Sequence, residues 1–207
     1  MQRSRALRRL CGALLALLSM TGAMQAMPVL AADTEPYSED AVKAVFLYRF
    51  TSFVDWPAEA LSPAEFNIAV LDADAVAEGL RHLLPDHPIK DKPAHVRTIQ
   101  RVRDLGDAQI LYVGSGHAED LAAIVAVTAN RPVLVVSDTA RGLEHGSTIN
   151  FILVDRRVRF EVSVSAANRA GLKISSELLS VASRVLADGN SDSDRIHDTR
   201  VAEQDGP

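Results

Sequence analysis

The stretch FNIAVL at Phe66–Leu71 is a short apolar run that is followed by residues typical of a turn or a helix start. Two further runs, Ile110–Val113 and residues 133–136, have the same character. Short continuous runs of this kind are typical of strands that are buried on both faces of a sheet. The central part of the chain is therefore predicted to contain several strands of one buried sheet.

The stretches between these runs favour helices. Residues 75–84 follow Asp74, which is a candidate N-cap, and residues 118–129 carry Glu119 and Asp120 in their first turn, where the helix dipole favours acidic side chains. Alternating strands and helices predict an α/β fold with a mainly parallel sheet and helices on both faces. Two extended runs, residues 148–154 and 158–164, predict an antiparallel hairpin at one edge of that sheet.

The amino-terminal segment predicts export. Residues 1–31 combine four arginines, an uncharged apolar run at residues 10–20 and a stretch of small residues, which is typical of a cleaved signal peptide. The apolar run is too short for a stable transmembrane helix. The only cysteine, Cys11, lies in this segment, so the mature chain is expected to form no disulfide and to perform no thiol chemistry.

The remaining chain divides into two parts. Residues 32–187 are about the length of one domain, whereas residues 188–207 contain six acids, two arginines and almost no large apolar residue, and are predicted to be a disordered acidic tail. After removal of residues 1–31, 18 basic and 27 acidic residues remain, a net charge of −9. This charge argues against nucleic acid and anionic lipid surfaces as partners.

The first predicted helix, residues 39–54, has a basic residue within its apolar face. The apolar arc at helical spacing contains Val42, Phe46, Phe50, Phe53 and Val54. Lys43 projects into the same arc, and two interpretations are open. Its ammonium group extends to the edge of the arc and pairs with Glu39, four residues earlier, or it faces an anion or a partner protein.

The last predicted helix begins after Ser175, a candidate N-cap, and extends to residue 186. The apolar residues on one side of this helix are Leu178, Leu179, Val181, Ala182, Val185 and Leu186. Packing of this stripe on the sheet is the favoured interpretation. Leu172 and Ile174, just before the helix, are expected to be the exposed apolar residues that contact a partner.

Signals of enzyme chemistry are weak. Gly114, Ser115 and Gly116 form a turn between a predicted strand and a predicted helix, whose backbone N–H groups could hold an anion or a small ligand, but the spacing of a dinucleotide or phosphate loop is missing. An ordinary turn is therefore favoured over a binding loop. Prolines separate the histidines of residues 82–95, so a zinc site there is not favoured. We expect no cofactor, no metal and no enzymatic activity.

Several motifs carry a resemblance to a known family. The sequences VKAVFLYRF at residues 42–50, FVDWP at residues 53–57 and AGLKISSELL at residues 170–179 resemble the YfiR family of exported proteins, as do the strand motifs between them. The resemblance covers most of residues 39–187.

This resemblance implies a periplasmic regulator. Members bind the periplasmic part of a membrane diguanylate cyclase and inhibit it, and an outer-membrane lipoprotein can sequester them. The resemblance thus implies control of cyclic-di-GMP and biofilm formation, and it leaves open whether the chain forms a homodimer. The alternative is a periplasmic sensor that binds a small ligand at the carboxyl ends of the strands, near Asp72, Ser115 and Asp138.

Overall fold

The computed structural model describes residues 38–61 and 64–187. The helices are α1 (Glu39–Phe53), α2 (Asp74–Leu83), α3 (Leu121–Val127), α4 (Val164–Arg169) and α5 (Ser176–Val181). The strands are β1 (Val54–Asp55), β2 (Phe66–Leu71), β3 (Ala94–Ile99), β4 (Ile110–Val113), β5 (Leu134–Ser137), β6 (Ile149–Val154), β7 (Arg157–Ser163), β8 (Lys173–Ile174) and β9 (Arg184–Leu186). Short 3-10 turns at Ala58–Leu61, Leu84–Asp86, Val102–Asp104 and Ser115–His117 connect some of them.

The main sheet has the strand order β3-β2-β4-β5-β6-β7-β9. Strands β3, β2, β4, β5 and β6 are parallel, β7 is antiparallel to β6, and β9 is parallel to β7. The predicted α/β fold with a mainly parallel sheet and an antiparallel hairpin is confirmed. The three-residue strand β9 lies outside the hairpin, and β1 and β8 form a separate antiparallel pair.

Alternate residues of the central strands face two different cores. Ile68, Val70 and Tyr112 point to a core formed with α1, α2 and α5, whereas Ala69 and Leu111 point to a core formed with α3. Every residue of β2, β4 and β5 is buried, because helices cover both faces. This double burial explains the continuous apolar runs in the sequence.

Helix α1 begins and ends close to the predicted positions. Ser38 caps it by accepting a hydrogen bond from the backbone N–H of Ala41. The helix ends at Phe53 because Val54 is extended and pairs with Ile174 in the small antiparallel sheet. Its buried apolar residues are Ala44, Leu47 and Phe50, so the core-facing stripe differs from the predicted arc of residues 42, 46, 50, 53 and 54.

The helices after β2 and β4 differ from prediction at their ends. Helix α2 begins at Asp74 itself, and the residue in the N-cap position, Ala73, makes no side-chain cap. The predicted helix at residues 118–129 is shorter, because a 3-10 turn at Ser115–His117 precedes it and α3 covers only Leu121–Val127.

The end of the described chain corrects two predictions. The last helix stops at Val181 and not at residue 186, since Ser183 donates its backbone N–H to Phe160 and Arg184 forms two hydrogen bonds with Glu161, which holds β9 against β7. Leu172 is 1% exposed and not an exposed contact residue. Gly171, at φ +69°, turns the chain so that Leu172 enters the core that contains α1.

A candidate docking groove

An open apolar groove runs along the outer side of α1. Its volume is about 690 Å³. Its lining residues are Ala41, Val42, Val45, Phe46, Arg49, Phe50, Phe53, Phe160, Leu178 and Val181. Nearly all of these side chains are apolar, and Val45 is 44% exposed and Val181 63% exposed. A continuous apolar surface of this kind marks an interaction site more often than scattered exposed residues do.

The groove exists because two neighbouring helices differ in length. Helix α1 has 15 residues, whereas α5 has six and ends where the chain turns into β9. Helix α5 therefore buries Leu178 against the core but leaves Val181 outside it. The side of α1 next to its buried stripe remains without a covering element in the described part of the chain.

Aromatic packing makes the floor of the groove rigid. The ring of Phe46 lies 5.9 Å from that of Phe50, 6.0 Å from Phe151 and 5.7 Å from Phe160, measured between ring centroids. Phe50 and Phe160 meet edge to face at 5.0 Å. Offset and edge-to-face contacts of this kind add to the stabilisation from burial. The groove is therefore a preformed surface.

A second hollow of about 570 Å³ continues the groove towards the β6–β7 hairpin and shares Val42 and Phe46 with it. Its hairpin side is lined by Leu153, Arg156, Arg157, Val158 and Arg159. Asp155 and Arg156 have φ values of 49° and 60°, which places Arg156 in a two-residue turn at the hairpin tip.

The arginines around this surface are unpaired. The side chains of Arg49, Arg156, Arg157 and Arg159 make no ion pair or hydrogen bond with any residue in the described ranges. The docking groove, defined here as the two continuous hollows, therefore has an apolar floor and guanidinium groups without ion-pair partners on its rim. The sequence prediction missed these arginines, although the pair Arg156-Arg157 between two extended runs was the available signal.

Lys43 lies beside the groove and is already neutralised. It is 6% exposed, and its Nζ lies 2.7 Å from Asp138 Oδ2 and 2.7 Å from Glu39 Oε1. Burial lowers the pKa of Lys43, but the hydrogen bonds to Asp138 and Glu39 outweigh burial, so its pKa is raised above its ordinary value. The predicted pair with Glu39 is present. These contacts support a structural role for Lys43 in fixing α1 to the carboxyl end of β5.

Three buried polar atoms lie in or near this ion pair and lack a hydrogen-bond partner among the described residues. In the part of the chain that the structure describes, the Tyr112 hydroxyl, Asp138 Oδ1 and Thr139 Oγ1 are buried without a hydrogen-bond partner. Burial raises the pKa of Tyr112, and the nearby Asp138 carboxylate raises it further, although the two groups do not have hydrogen-bond geometry.

The glycine turn after β4 is shaped by its contact with the turn after β2. The Gly114 N–H donates to the carbonyl of Leu71 at 2.9 Å, and a Cβ at Gly114 would lie 2.2 Å from the carbonyl oxygen of Asp72. The Asp72 carboxylate lies against Gly116 and 3.8 Å from His117 Nε2. The close backbone approach explains why residue 114 is a glycine. The Asp72 carboxylate places negative charge at the position where the predicted anion would bind.

The described residues contain no group of three or more His, Cys, Asp or Glu side chains arranged to hold a metal ion. They also contain no helix that is long and apolar enough to cross a membrane. The predicted signal peptide and the predicted acidic tail lie outside the described residues.

Ile174 is half-buried in β8 and packs against the core around α1. Neither it nor Leu172 lines the groove. The exposed apolar residues of the groove thus lie on α1, α5 and the hairpin and not in the segment between Gly171 and Ser175.

Two solved structures resemble the chain in part. One is a conserved domain protein from Vibrio cholerae O1 biovar El Tor, with 12% identity and a TM-score of 0.49 over 71% of this chain. The other is an ABC domain in complex with L-Trp from Streptococcus pneumoniae, with 9% identity and a TM-score of 0.47 over 67% of this chain. The match spans 60% of the length of each of these structures. Identities this low indicate nothing about ligands or activity.

Sequence comparison places the chain in a family. A search of curated protein sequences finds no match. The family model described as YfiR/HmsC-like matches residues 40–183. Because this match covers more than half of the chain, the protein belongs to the YfiR/HmsC-like family.

Proposed function

We propose that this protein is a periplasmic regulator that binds the periplasmic part of an inner-membrane diguanylate cyclase and lowers the production of cyclic-di-GMP. Membership of the YfiR/HmsC-like family supports a role in diguanylate cyclase signalling. The observation that carries the proposal is the docking groove, an exposed and preformed apolar surface between α1 and α5.

The composition of the groove suits protein binding. Interface hot spots are enriched in aromatic residues and arginine, and they cluster where apolar side chains exclude water. The groove supplies this combination through Phe46, Phe53 and Arg49, with Val45 and Val181 exposed beside them. A partner that covers these residues removes apolar surface from water, which stabilises the complex.

The sensor alternative depended on the carboxyl ends of the strands. At these ends, Asp138 forms an ion pair with Lys43, and the Asp72 carboxylate lies against Gly116 in the turn after β4. These contacts favour the docking groove over the strand ends as the binding surface.

The test is genetic complementation with matched variants. Deleting the gene should raise cyclic-di-GMP, and the unmodified gene should restore the original level. Val45→Glu should fail to restore it, because a charge in the apolar groove must be desolvated when the partner binds. Val127→Glu is the matched control, since Val127 is 47% exposed on α3, on the other face of the sheet. It should restore the level fully.

Further variants separate binding from chemistry. Ser115→Ala and His117→Ala should restore cyclic-di-GMP like the unmodified gene, because no catalytic step is proposed for them. A charge at Leu172 would report on folding and not on binding, because this side chain is buried. Unchanged cyclic-di-GMP on deletion, or full function of folded Val45→Glu protein, would contradict the proposal.

A further inference from the structure

We infer that the segment that fills the docking groove is an amphipathic helix of the partner protein, with carboxylates at the end that meets the β6–β7 hairpin. This inference rests on the proposed function for the identity of the partner. It adds the secondary structure, the charge and the direction of the bound segment.

The shape of the groove fits a helix. Residues Val42, Val45, Phe46, Arg49 and Phe53 lie on one side of α1 at spacings of three or four residues. At 1.5 Å per residue, the distance from Val42 to Phe53 is roughly 16 Å, or about three helical turns. Helix α5 forms the opposite wall through Leu178 and Val181. A helix can lie between two helical walls and contact both through side chains at similar spacing.

The hydrogen bonding of the α1 and α5 walls argues against an extended segment between them. Between α1 and α5 both walls are helices, whose backbone N–H and C=O groups are paired within the helices, so this part of the groove offers no ladder of free backbone groups. Only the hairpin end has a strand as its wall, since β9 pairs with β7 from Glu161 onward and not at residues 157–159. A strand placed on this apolar floor would leave its own backbone groups unpaired and out of water, which is costly. A helix satisfies its backbone internally and needs only side-chain contacts.

The charges fix the composition and the direction of that helix. Arg156, Arg157 and Arg159 are unpaired at the hairpin end of the groove. The acidic groups at the same end are the Glu39 carboxylate, which already binds Lys43, the Asp40 carboxylate, which lies 4.0 Å from Lys43, and Asp155 in the hairpin turn. These three carboxylates balance the three arginines in formal charge, but Glu39 and Asp40 face Lys43 and no carboxylate lies within ion-pair distance of the three guanidinium groups in the described residues.

These unpaired guanidinium groups stand out in an acidic chain. The whole sequence has a formal net charge of −5, so an acidic partner is repelled by most of the protein and attracted at the hairpin end of the groove. Carboxylates on the bound helix would pair with the free guanidinium groups, which favour bidentate contacts. An apolar helix without acids would leave those arginines partly desolvated and unpaired.

The bound segment can be identified by cross-linking in cells. A photo-reactive amino acid replaces Val45 in one strain and Arg157 in another, in the otherwise complete protein, and the cross-linked peptides are mapped by mass spectrometry. We expect both positions to capture one segment of a membrane diguanylate cyclase. The Arg157 position should capture its acidic end, and the Val45 position should capture residues further along the same apolar stripe.

The charge requirement is then tested with the purified periplasmic part of the captured protein. Arg157→Glu combined with Arg159→Glu should weaken binding at least tenfold, whereas Arg103→Glu, at another exposed and unpaired arginine, should change it less than twofold. Affinity for the unmodified protein should fall as salt concentration rises, and it should fall less for the double variant. Exchanging the mapped acidic residue of the partner for lysine should restore binding to Arg157→Glu.

The outcomes separate this inference from the proposed function. If the cyclase binds but the double charge variant binds equally well, or if the mapped segment is extended or lacks acids, the inference fails and the proposed function stands. If an acidic helix of another protein is captured and cyclic-di-GMP does not respond, the proposed function fails and the helix inference stands. Cross-links to a second copy of this chain or to lipid alone would overturn the inference.

Discussion

Lys43 is the residue whose environment differs most from that of an ordinary surface lysine. Its ammonium group joins α1 to Asp138, 95 residues later in the sequence, and also holds Glu39 on its own helix. Its side chain is 8% exposed and that of Asp138 is 13% exposed, so both charges have lost most of their water. Pairs of this kind are stabilising only while both partners are present.

We predict that Lys43→Met destabilises the protein by about 3 kcal/mol, because it leaves the carboxylate of Asp138 buried without a cation. Urea denaturation would measure the change in the free energy of unfolding. Lys173→Met, at an exposed lysine on β8, is the control and should change it by less than about 0.5 kcal/mol. Adding Asp138→Asn to Lys43→Met should recover part of the loss. A cost below about 1 kcal/mol for Lys43→Met would contradict the assigned role.

At the scale of elements, the short helix α5 sets the boundary between the core and the groove. Ser175 caps it by accepting a hydrogen bond from the N–H of Leu178, and Leu178 packs into the core. One turn later Val181 is exposed, and the chain then leaves the helix to pair β9 with β7. The same element therefore contributes one residue to stability and another to the proposed interface.

This division predicts different effects for two neighbouring substitutions. Leu178→Ala should lower the free energy of unfolding by about 2 to 4 kcal/mol, because it removes buried methyl groups and leaves a cavity. Val181→Ala should change it by less than about 0.5 kcal/mol, because the side chain is already in water. Urea denaturation of the two variants would check both values. Equal losses for the two would show that Val181 belongs to the core.

At the scale of the whole molecule, the sheet separates an apolar core under α1, α2 and α5 from a second core under α3. The first core also encloses Tyr112, whose hydroxyl lies close to the Lys43–Asp138 pair. Two groups that titrate at alkaline pH are thus buried together on the side of the sheet that carries the docking groove. Their protonation affects the stability of the complete fold.

We predict that stability falls at alkaline pH. The pKa values of Lys43 and Tyr112 are raised in the folded protein from ordinary values of 10.5 and 10.0. Above about pH 10 the unfolded chain therefore loses protons that the folded protein keeps, and stability decreases by up to about 1.4 kcal/mol per pH unit for each group. Below that pH, Lys43 and Tyr112 keep their protons in both the folded and the unfolded chain, so they contribute no pH dependence to stability.

Urea denaturation between neutral pH and pH 11 would measure this decline. Tyr112→Phe should make it shallower and should not lower stability at neutral pH, because the hydroxyl has no hydrogen-bond partner among the described residues. Stability that rises with pH above 10, or a large loss at neutral pH in Tyr112→Phe, would contradict the prediction.

Local sequence patterns were sufficient to predict the central sheet and the family. Strands β2 and β4 have the predicted bounds and β5 is shifted by one residue, because burial on both faces requires continuous apolar runs that are visible locally. The cap at Ser175 and the pair between Lys43 and Glu39 were also predictable, since each joins residues within four positions along a helix.

Features that depend on contacts between distant residues could not be predicted from local patterns. Strand β3 was missed because its exposed edge carries polar side chains, and residues 184–186 form a strand and not a helix because β7 supplies their hydrogen-bond partners. The burial of Leu172 depends on the turn at Gly171, and the open groove depends on how much of α1 the short helix α5 covers. Local sequence sets which residues are apolar, but only packing between elements decides which of them remain in contact with water.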